Sequence, residues 1–270
     1  NACLDYESAE AWRENWHDLL NDCDEVTIFS IDTQRLLAKA YPDLKNLNLV
    51  PHEPHYLPSL KKTAKITKTL NIGILGVLSY KKGLNVIRDM AAEIEKSNRD
   101  IRLRLIGETD GEINSSVFSQ TGRYRREQLP KITLEQDIDI FMIPSIWPET
   151  FSYTTSEVIS MNMPIAVFNI GAPVERVASY PKGLVIERNM SPAGILYEIQ
   201  NFIRKINEGK ALPVHEQKIL FIAEEVSFAS RYRVEHFRET LLLQGYASDY
   251  IQIDELPEVQ IADYQSVVLY

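Results

Sequence analysis

The chain has 270 residues, 44% hydrophobic and 25% charged, with a formal net charge of −9. This fits a globular protein of one large domain, or one domain with part of another. An acidic balance with no basic block interleaved with aromatics argues against a nucleic-acid partner, and no run approaches the ~18 apolar residues of a membrane span.

Residues 1–65 read as the end of a larger α/β unit. Asn1 stands where an initiator Met would, so the chain is expected to be a piece of a longer protein; no signal peptide is visible. Ser8 to Asn21 has helical spacing, with Ser8 as cap and Trp12, Trp16, Leu19 and Leu20 on one face. Glu25 to Ser30 suits a strand, Thr33 to Ala40 a helix, and Leu47 to Val50 a short strand ending at Pro51. Cys3 and Cys23 form no ligand pattern and are expected to be buried, reduced thiols. His52 and His55 lie in a proline-rich linker and are expected at the surface rather than on a metal.

Leu70 to Gly76 is an apolar strand that turns through Val77-Leu-Ser-Tyr-Lys-Lys-Gly83 into a helix, Leu84 to Ser97. A glycine that lets the backbone approach a ligand, then Lys82 near a helix start, suits an anion such as phosphate. A plain strand-to-helix turn with two exposed lysines is the alternative. Ile101 to Gly107 alternates as a strand should, and Val117 to Tyr124 gives another with Gly122 near its end. Arg125 to Gln136 is amphipathic but carries Pro130, which predicts two short helices.

The most informative stretch runs from Ile138 to Glu175. An apolar strand ends at Pro144-Ser145, and a loop with Trp147 and Pro148 leads to Glu149-Thr-Phe-Ser-Tyr-Thr-Thr-Ser-Glu157. Val158, Ile159 and Met161 continue as a helix that stops before Pro164. Ile165 to Phe168 is a second buried strand, opening into Gly171-Ala-Pro-Val-Glu175, where Pro173 is an early helical residue and Glu175 lies in the first turn. Thr154-Thr-Ser-Glu157 also fits a capping box, which accounts for Glu157 alone. It does not account for Glu149, Pro144-Ser145 and the Gly171 loop together. Gly183 to Ile186 is a last strand and Pro192 to Ile206 a helix; Val214 to Val226 and Phe228 to Leu243 read as two more helices, and Tyr246 to Tyr270 as an acidic tail without a motif. Strands alternating with helices from Leu70 to Ile206 predict a doubly wound parallel sheet of about six strands, with ligands beyond the strands' carboxyl ends. GxGxxG is absent, which weakens a nicotinamide dehydrogenase.

The spaced elements Pro144-Ser145, Glu149-Thr-Phe151-Ser152, Glu157, Met163-Pro164 and Gly171-Ala-Pro-Val-Glu175 resemble the donor-binding core of retaining GT-B glycosyltransferases, the family 4-like class. The departures are Thr150 and Ser152 for the usual glycines, Met163 for the Gly before Pro, and Val77 where the family carries an Arg beside the Lys matched by Lys82. The wording around Glu149 to Glu157 and Gly171 to Val177 is closest to the branch that builds rhamnose-containing surface polysaccharides. The resemblance covers roughly Leu70 to Gly245. It implies a remnant of the N-terminal domain with its linker over 1–65, a nucleotide-sugar-binding Rossmann-like domain over 66–245, and a tail or linker over 246–270.

The resemblance also assigns roles. Glu149 and Lys82 would be catalytic, the first contacting the transferred sugar and the second the leaving diphosphate. Gly76, Gly122, Arg123, Tyr124, Phe151, Ser152, Tyr153, Thr154 and Glu157 would join Lys82 in holding the donor, with Arg123 or Tyr124 beside the base and Glu157 on the ribose hydroxyls. No cofactor is expected beyond the nucleotide sugar, which is substrate, and no metal, because no Asp-x-Asp stands among these loops. The other expected partner is a glycan acceptor, bound through the missing part of the N-terminal domain, with cytoplasmic location at the inner face of the membrane. Three rival readings stand beside this one: a non-catalytic domain of a polysaccharide-assembly protein, a GT-B sugar-nucleotide epimerase, and a glycosidase using the two carboxylates.

Overall fold

A computed structural model describes residues 8–52, 57–60, 69–207, 218–223, 247–253 and 266–269, with single positions 234, 237, 238, 241 and 264. The centre is a parallel sheet of six strands: β3 (Leu70–Leu78), β4 (Ile101–Thr109), β5 (Phe118–Gln120), β6 (Ile140–Ile143), β7 (Ile165–Phe168) and β8 (Gly183–Ile186). Their spatial order is β5-β4-β3-β6-β7-β8, the doubly wound order that reverses between β3 and β6.

Both faces of the sheet are covered, as its near-continuous apolar strands require. Ile72, Ile74, Leu103, Leu105, Ile140 and Met142 pack on one side against α3 (Leu84–Ser97) and α7 (Pro192–Asn207). Leu75, Ile106, Phe141, Ile143, Ile165 and Val167 pack on the other against α4 (Leu129–Glu135), α5 (Tyr153–Ser160) and α6 (Ala172–Val177). Pro130 opens α4 after a 3-10 turn over Arg126–Gln128, so the expected split at this proline is found.

The N-terminal segment holds α1 (Ala9–Asp22), β1 (Val26–Ile28), α2 (Ile31–Ala40) and β2 (Leu47–Leu49), with β1 and β2 paired in parallel. It docks on the central domain through specific contacts. Glu175 of α6 accepts N–H bonds from Ile31 (3.1 Å) and Asp32 (2.6 Å) in the first turn of α2. Ser160 at the end of α5 donates to the Pro58 carbonyl at 2.7 Å. Trp16 and Leu19 of α1 stay exposed.

Four sequence expectations are corrected. The helix over Val214 to Val226 is replaced, where described, by strand β9 (Lys218–Ala223); a short apolar run rich in Ile, Leu and Phe satisfies both periods, and length decides for the strand. The tail over 246–270 contributes β10 (Ala247–Gln252) and β11 (Ser266–Leu269), both parallel to β9 in a second sheet. Their short runs, Tyr250-Ile251 and Val267-Val268-Leu269, lack a strong pattern of their own. Cys23 is exposed rather than buried, and Cys3 lies outside the described residues. His52, expected at the surface, is half-buried and stacks on Phe29 with ring centroids 3.7 Å apart; His55 is outside the described residues. Of Phe228 to Leu243, the described positions Val234, Phe237, Arg238 and Leu241 are helical.

Candidate active site

The sheet order places a crevice at the carboxyl ends of β3 and β6, and two loops build it. The carboxyl end of β3 carries Gly76 and Val77 and the loop after it Lys81 and Lys82; the loop after β6 carries Pro144 to Ser152. They are locked together at Gly83, whose φ is +90° and where an added Cβ would fall 2.0 Å from the Pro144 carbonyl oxygen. The Ile146 N–H bonds the Lys81 carbonyl at 3.1 Å. Gly171 presses the next loop onto the same place: its Cβ would lie 2.6 Å from the Glu149 nitrogen, and the Ala172 N–H bonds the Glu149 carbonyl at 2.8 Å.

Between the loops lies a cleft of about 570 Å³ lined by His52, Lys82, Trp147, Glu149 and the run Phe151 to Thr154. It shares Lys82, Glu149 and Thr154 with a recess of about 160 Å³ that also takes in Gly76 and Val77. Glu149 is partly buried and receives two partners: Lys82 Nζ at 2.7 Å and a short hydrogen bond from the Ser145 hydroxyl. Lys81 Nζ stands 4.5 Å from the Trp147 ring centroid. His52 sits edge-on to Phe151 at 5.3 Å and tilted on Tyr153 at 5.6 Å, so the linker closes one side with aromatic rings.

Helix α5 points its N-terminus at this cleft. Ser152 is its N-cap, with φ +71° and no side-chain cap bond, so the first-turn amides lack intrahelical partners and carry the positive end of the helix dipole. The capping box over Thr154 to Glu157 does not form. Glu157 instead pairs with Arg126 Nε at 2.5 Å. Burial pushes the Glu157 carboxyl above its ordinary range, and the Arg126 charge and hydrogen bond oppose that. Burial, with the Glu157 charge added, also raises the nearby Tyr124 phenol. Arg126 lies 5.8 Å from the Tyr153 ring centroid, bridging the Glu157 side of the site to the cleft.

Residues 58–211, more than half of the chain, match the glycosyl transferases group 1 family. The chain belongs to that family. Solved structures share its fold: the sucrose-phosphate synthase of Thermosynechococcus elongatus (16% identity, TM-score 0.62, 88% of this chain and 60% of that one). Anabaena HepE, solved with UDP-glucose, is similar at 15% identity and TM-score 0.61, over 88% of this chain and 66% of that one. Staphylococcus aureus TarM matches at 12% identity and TM-score 0.60, over 89% of this chain and 46% of that one. The chain thus spans 46–66% of these three structures. No curated protein matches it by sequence.

For this group 1 chain, the structure gathers most of the sequence candidates. Gly76, Lys82, Glu149, Phe151, Ser152, Tyr153 and Thr154 line the cleft or its recess. Glu157 is one turn behind them, and Tyr124 is packed near it. Gly122 follows β5 with φ +80° in open space. Arg123 turns outward, 89% exposed, and pairs with Glu108 at 3.0 Å. Sequence reasoning missed three contributors: Arg126, Arg176 and His52. Arg176 of α6 donates to the Phe151 and Ser152 carbonyls and the Ser156 hydroxyl. An arginine in an amphipathic segment reads as a solvated charge, and only the three-dimensional fold brings these two inward. Among the described residues, no group of three or more His, Cys, Asp or Glu could hold a metal ion, and no helix is long and apolar enough to cross a membrane.

Proposed function

We propose that this chain is the donor-binding half of a glycosyltransferase that moves a sugar from a nucleoside-diphosphate sugar to a glycan hydroxyl with retention of configuration. One observation carries the reading: the open N-terminus of α5, Lys82 and Glu149 converge on one cleft at the sheet's switch point, with Glu157 buried one turn behind it. An anionic diphosphate matches the amides and the lysine. Glu149 then faces the transferred sugar, and Glu157 accepts from the ribose hydroxyls.

In the transfer, the anomeric C–O bond breaks and the diphosphate leaves with the electron pair. The acceptor oxygen bonds the anomeric carbon on the same face, and its proton passes to a leaving-group oxygen. Lys82 and the α5 amides stabilise the charge that grows on the diphosphate, a contribution of ~2–4 kcal/mol per good donor. Lys81 lines the same cleft and supplies a second cation where the chain has Val77, which is 59% exposed, for the family's Arg. HepE was solved with UDP-glucose and a pneumococcal O-GlcNAc transferase of similar fold with UDP and GlcNAc, which favours a nucleotide-sugar donor. The wording of the Glu149 and Gly171 loops favours bacterial surface polysaccharide as the product, made on the cytoplasmic side of the membrane.

A thermal-shift panel with UDP, GDP, dTDP and ADP tests the reading. At least one nucleotide stabilises the chain, and Glu157→Gln and Lys82→Ala each cut the shift. No stabilisation by any of the four favours the non-catalytic reading; stabilisation unchanged in both variants removes the roles given to these residues.

A further inference from the structure

Serine at position 152 sits where the backbone needs glycine. Its φ of +71° and ψ of +89° lie in the left-handed region, where a Cβ crowds the backbone. Something must hold that conformation, because it sets the direction of the amides that open α5. Arg176 is placed to do so. It donates to the Ser152 carbonyl at 2.9 Å and makes a short bond to the Phe151 carbonyl. It makes another short bond to the Ser156 hydroxyl, which is fully buried, and its guanidinium carbon lies 4.5 Å from the Phe151 ring centroid.

The two carbonyl bonds have a geometric consequence. A trans peptide is planar, with its C=O and N–H antiparallel, and there is no cis peptide bond among the described residues. Pinning the Phe151 carbonyl therefore turns the Ser152 N–H the opposite way, and pinning the Ser152 carbonyl does the same for the Tyr153 N–H. Phe151 to Thr154 line the cleft, whereas Arg176 stands behind the loop, outside the lining. Both N–H groups thus face the cleft side, side by side, as an anion-binding nest.

We propose that Arg176 is a positioning residue for the donor's diphosphate: its Nη2 fixes two carbonyls while Nη1 anchors it on the Ser156 hydroxyl, and so it aims the Ser152 and Tyr153 amides at the phosphate oxygens. It stands in for the glycine that position 152 lacks. A lysine cannot do the same, having no planar fork to hold the two carbonyls on one arm and the Ser156 hydroxyl on the other. The assignment rests on the donor reading above.

The experiment compares wild type, Arg176→Met, Arg176→Lys and Arg176→Met combined with Ser152→Gly. Each is titrated calorimetrically with whichever of UDP, GDP, dTDP and ADP binds wild type best. The matching phosphate-free nucleoside is measured by competition, and thermal unfolding checks the fold. Arg176→Met weakens the diphosphate roughly tenfold and leaves the nucleoside unchanged. Ser152→Gly in that background recovers part of the loss, because glycine adopts the conformation without strain. Arg176→Lys falls between, at a roughly threefold loss, and decides the matter if Arg176→Met does not fold.

Equal losses for diphosphate and nucleoside reduce Arg176 to general stabilisation and overturn the proposal. So does wild-type diphosphate affinity in Arg176→Met, or in Arg176→Lys where that variant decides, or no recovery on adding Ser152→Gly. If wild type binds none of the four nucleotides, the donor reading itself falls and takes this assignment with it, an outcome distinct from the others.

Discussion

At the scale of single residues, buried carboxyls set the protein's pH response. Glu157 is buried against Arg126, and its folded carboxyl is raised by burial, so the folded chain holds that proton more readily than the unfolded one. A raised acid contributes stability at low pH that is lost as pH climbs through the folded value. Arg126 limits the loss by keeping the ionised form paired. Arg126→Met therefore destabilises by ~1–2 kcal/mol at pH 8, Arg126 being partly exposed, and by less at pH 5. Denaturant melts at the two pH values check this; equal losses would mean that Arg126 acts through packing alone. Asp139 gives a cleaner case, remote from the cleft at the start of β6. Burial first, then the Asp137 charge, push its carboxyl up to about 6, while the Asn71 N–H bond at 2.8 Å pulls the other way. Its Oδ1 is buried with no partner among the described residues. Stability from this group falls as pH rises from about 4 through about 6 and then levels off. Asp139→Asn removes the charge and raises Tm at pH 8 by ~2–4 °C, about 1 kcal/mol after screening, with little gain at pH 4.5. A gain independent of pH would assign the effect to something other than ionisation.

At the scale of elements, the loops matter more than the strands they leave. The strands were legible because each is an apolar run bounded by Gly or Pro: Leu70 to Gly76, Ile140 to Ile143 before Pro144, Ile165 to Phe168 after Pro164. Two-sided burial demands that pattern, and the pattern alone predicts the parallel sheet. The mouth of the site was legible in its spacing, Glu149 to Glu157 and the Gly171 loop. What the spacing could not show is which side chains reach back from other elements. Arg126 and Arg176 come from segments whose helical periodicity makes any charge look solvated. The same limit hid β9, where six residues are too few to separate strand from helix. Gly83 tests the loop junction directly. A Cβ there meets the Pro144 carbonyl at 2.0 Å and the φ is +90°. Gly83→Ala destabilises by ~2–4 kcal/mol and separates the two loops of the cleft. Urea unfolding together with loss of the nucleotide shift checks both effects. A stable variant that keeps nucleotide binding would show that the loops need no close packing.

At the scale of the whole molecule, α6 is the joint between the N-terminal segment and the candidate site. Two neighbouring residues on it face different ways. Arg176 reaches the loop that opens α5, while Glu175 reaches the first turn of α2 and accepts from Ile31 and Asp32. A carboxylate at a helix N-terminus satisfies otherwise unpaired N–H groups and opposes the positive end of the dipole. Ser30 also caps α2, accepting from Thr33 at 3.2 Å, so loss of Glu175 leaves the helix formed but undocked. Glu175→Ala is expected to cost ~1 kcal/mol. Amide hydrogen exchange gives the decisive readout. Exchange at Ile31 and Asp32 accelerates in the variant, while the buried amides of β3 and β6 keep their protection, because those strands lie in the core of a separately packed sheet. Unchanged exchange at Ile31 and Asp32 would show that the segment is held by the His52 and Pro58 contacts instead. Faster exchange throughout the sheet would show that the N-terminal segment and the central domain unfold as one unit rather than as two bodies joined at α6.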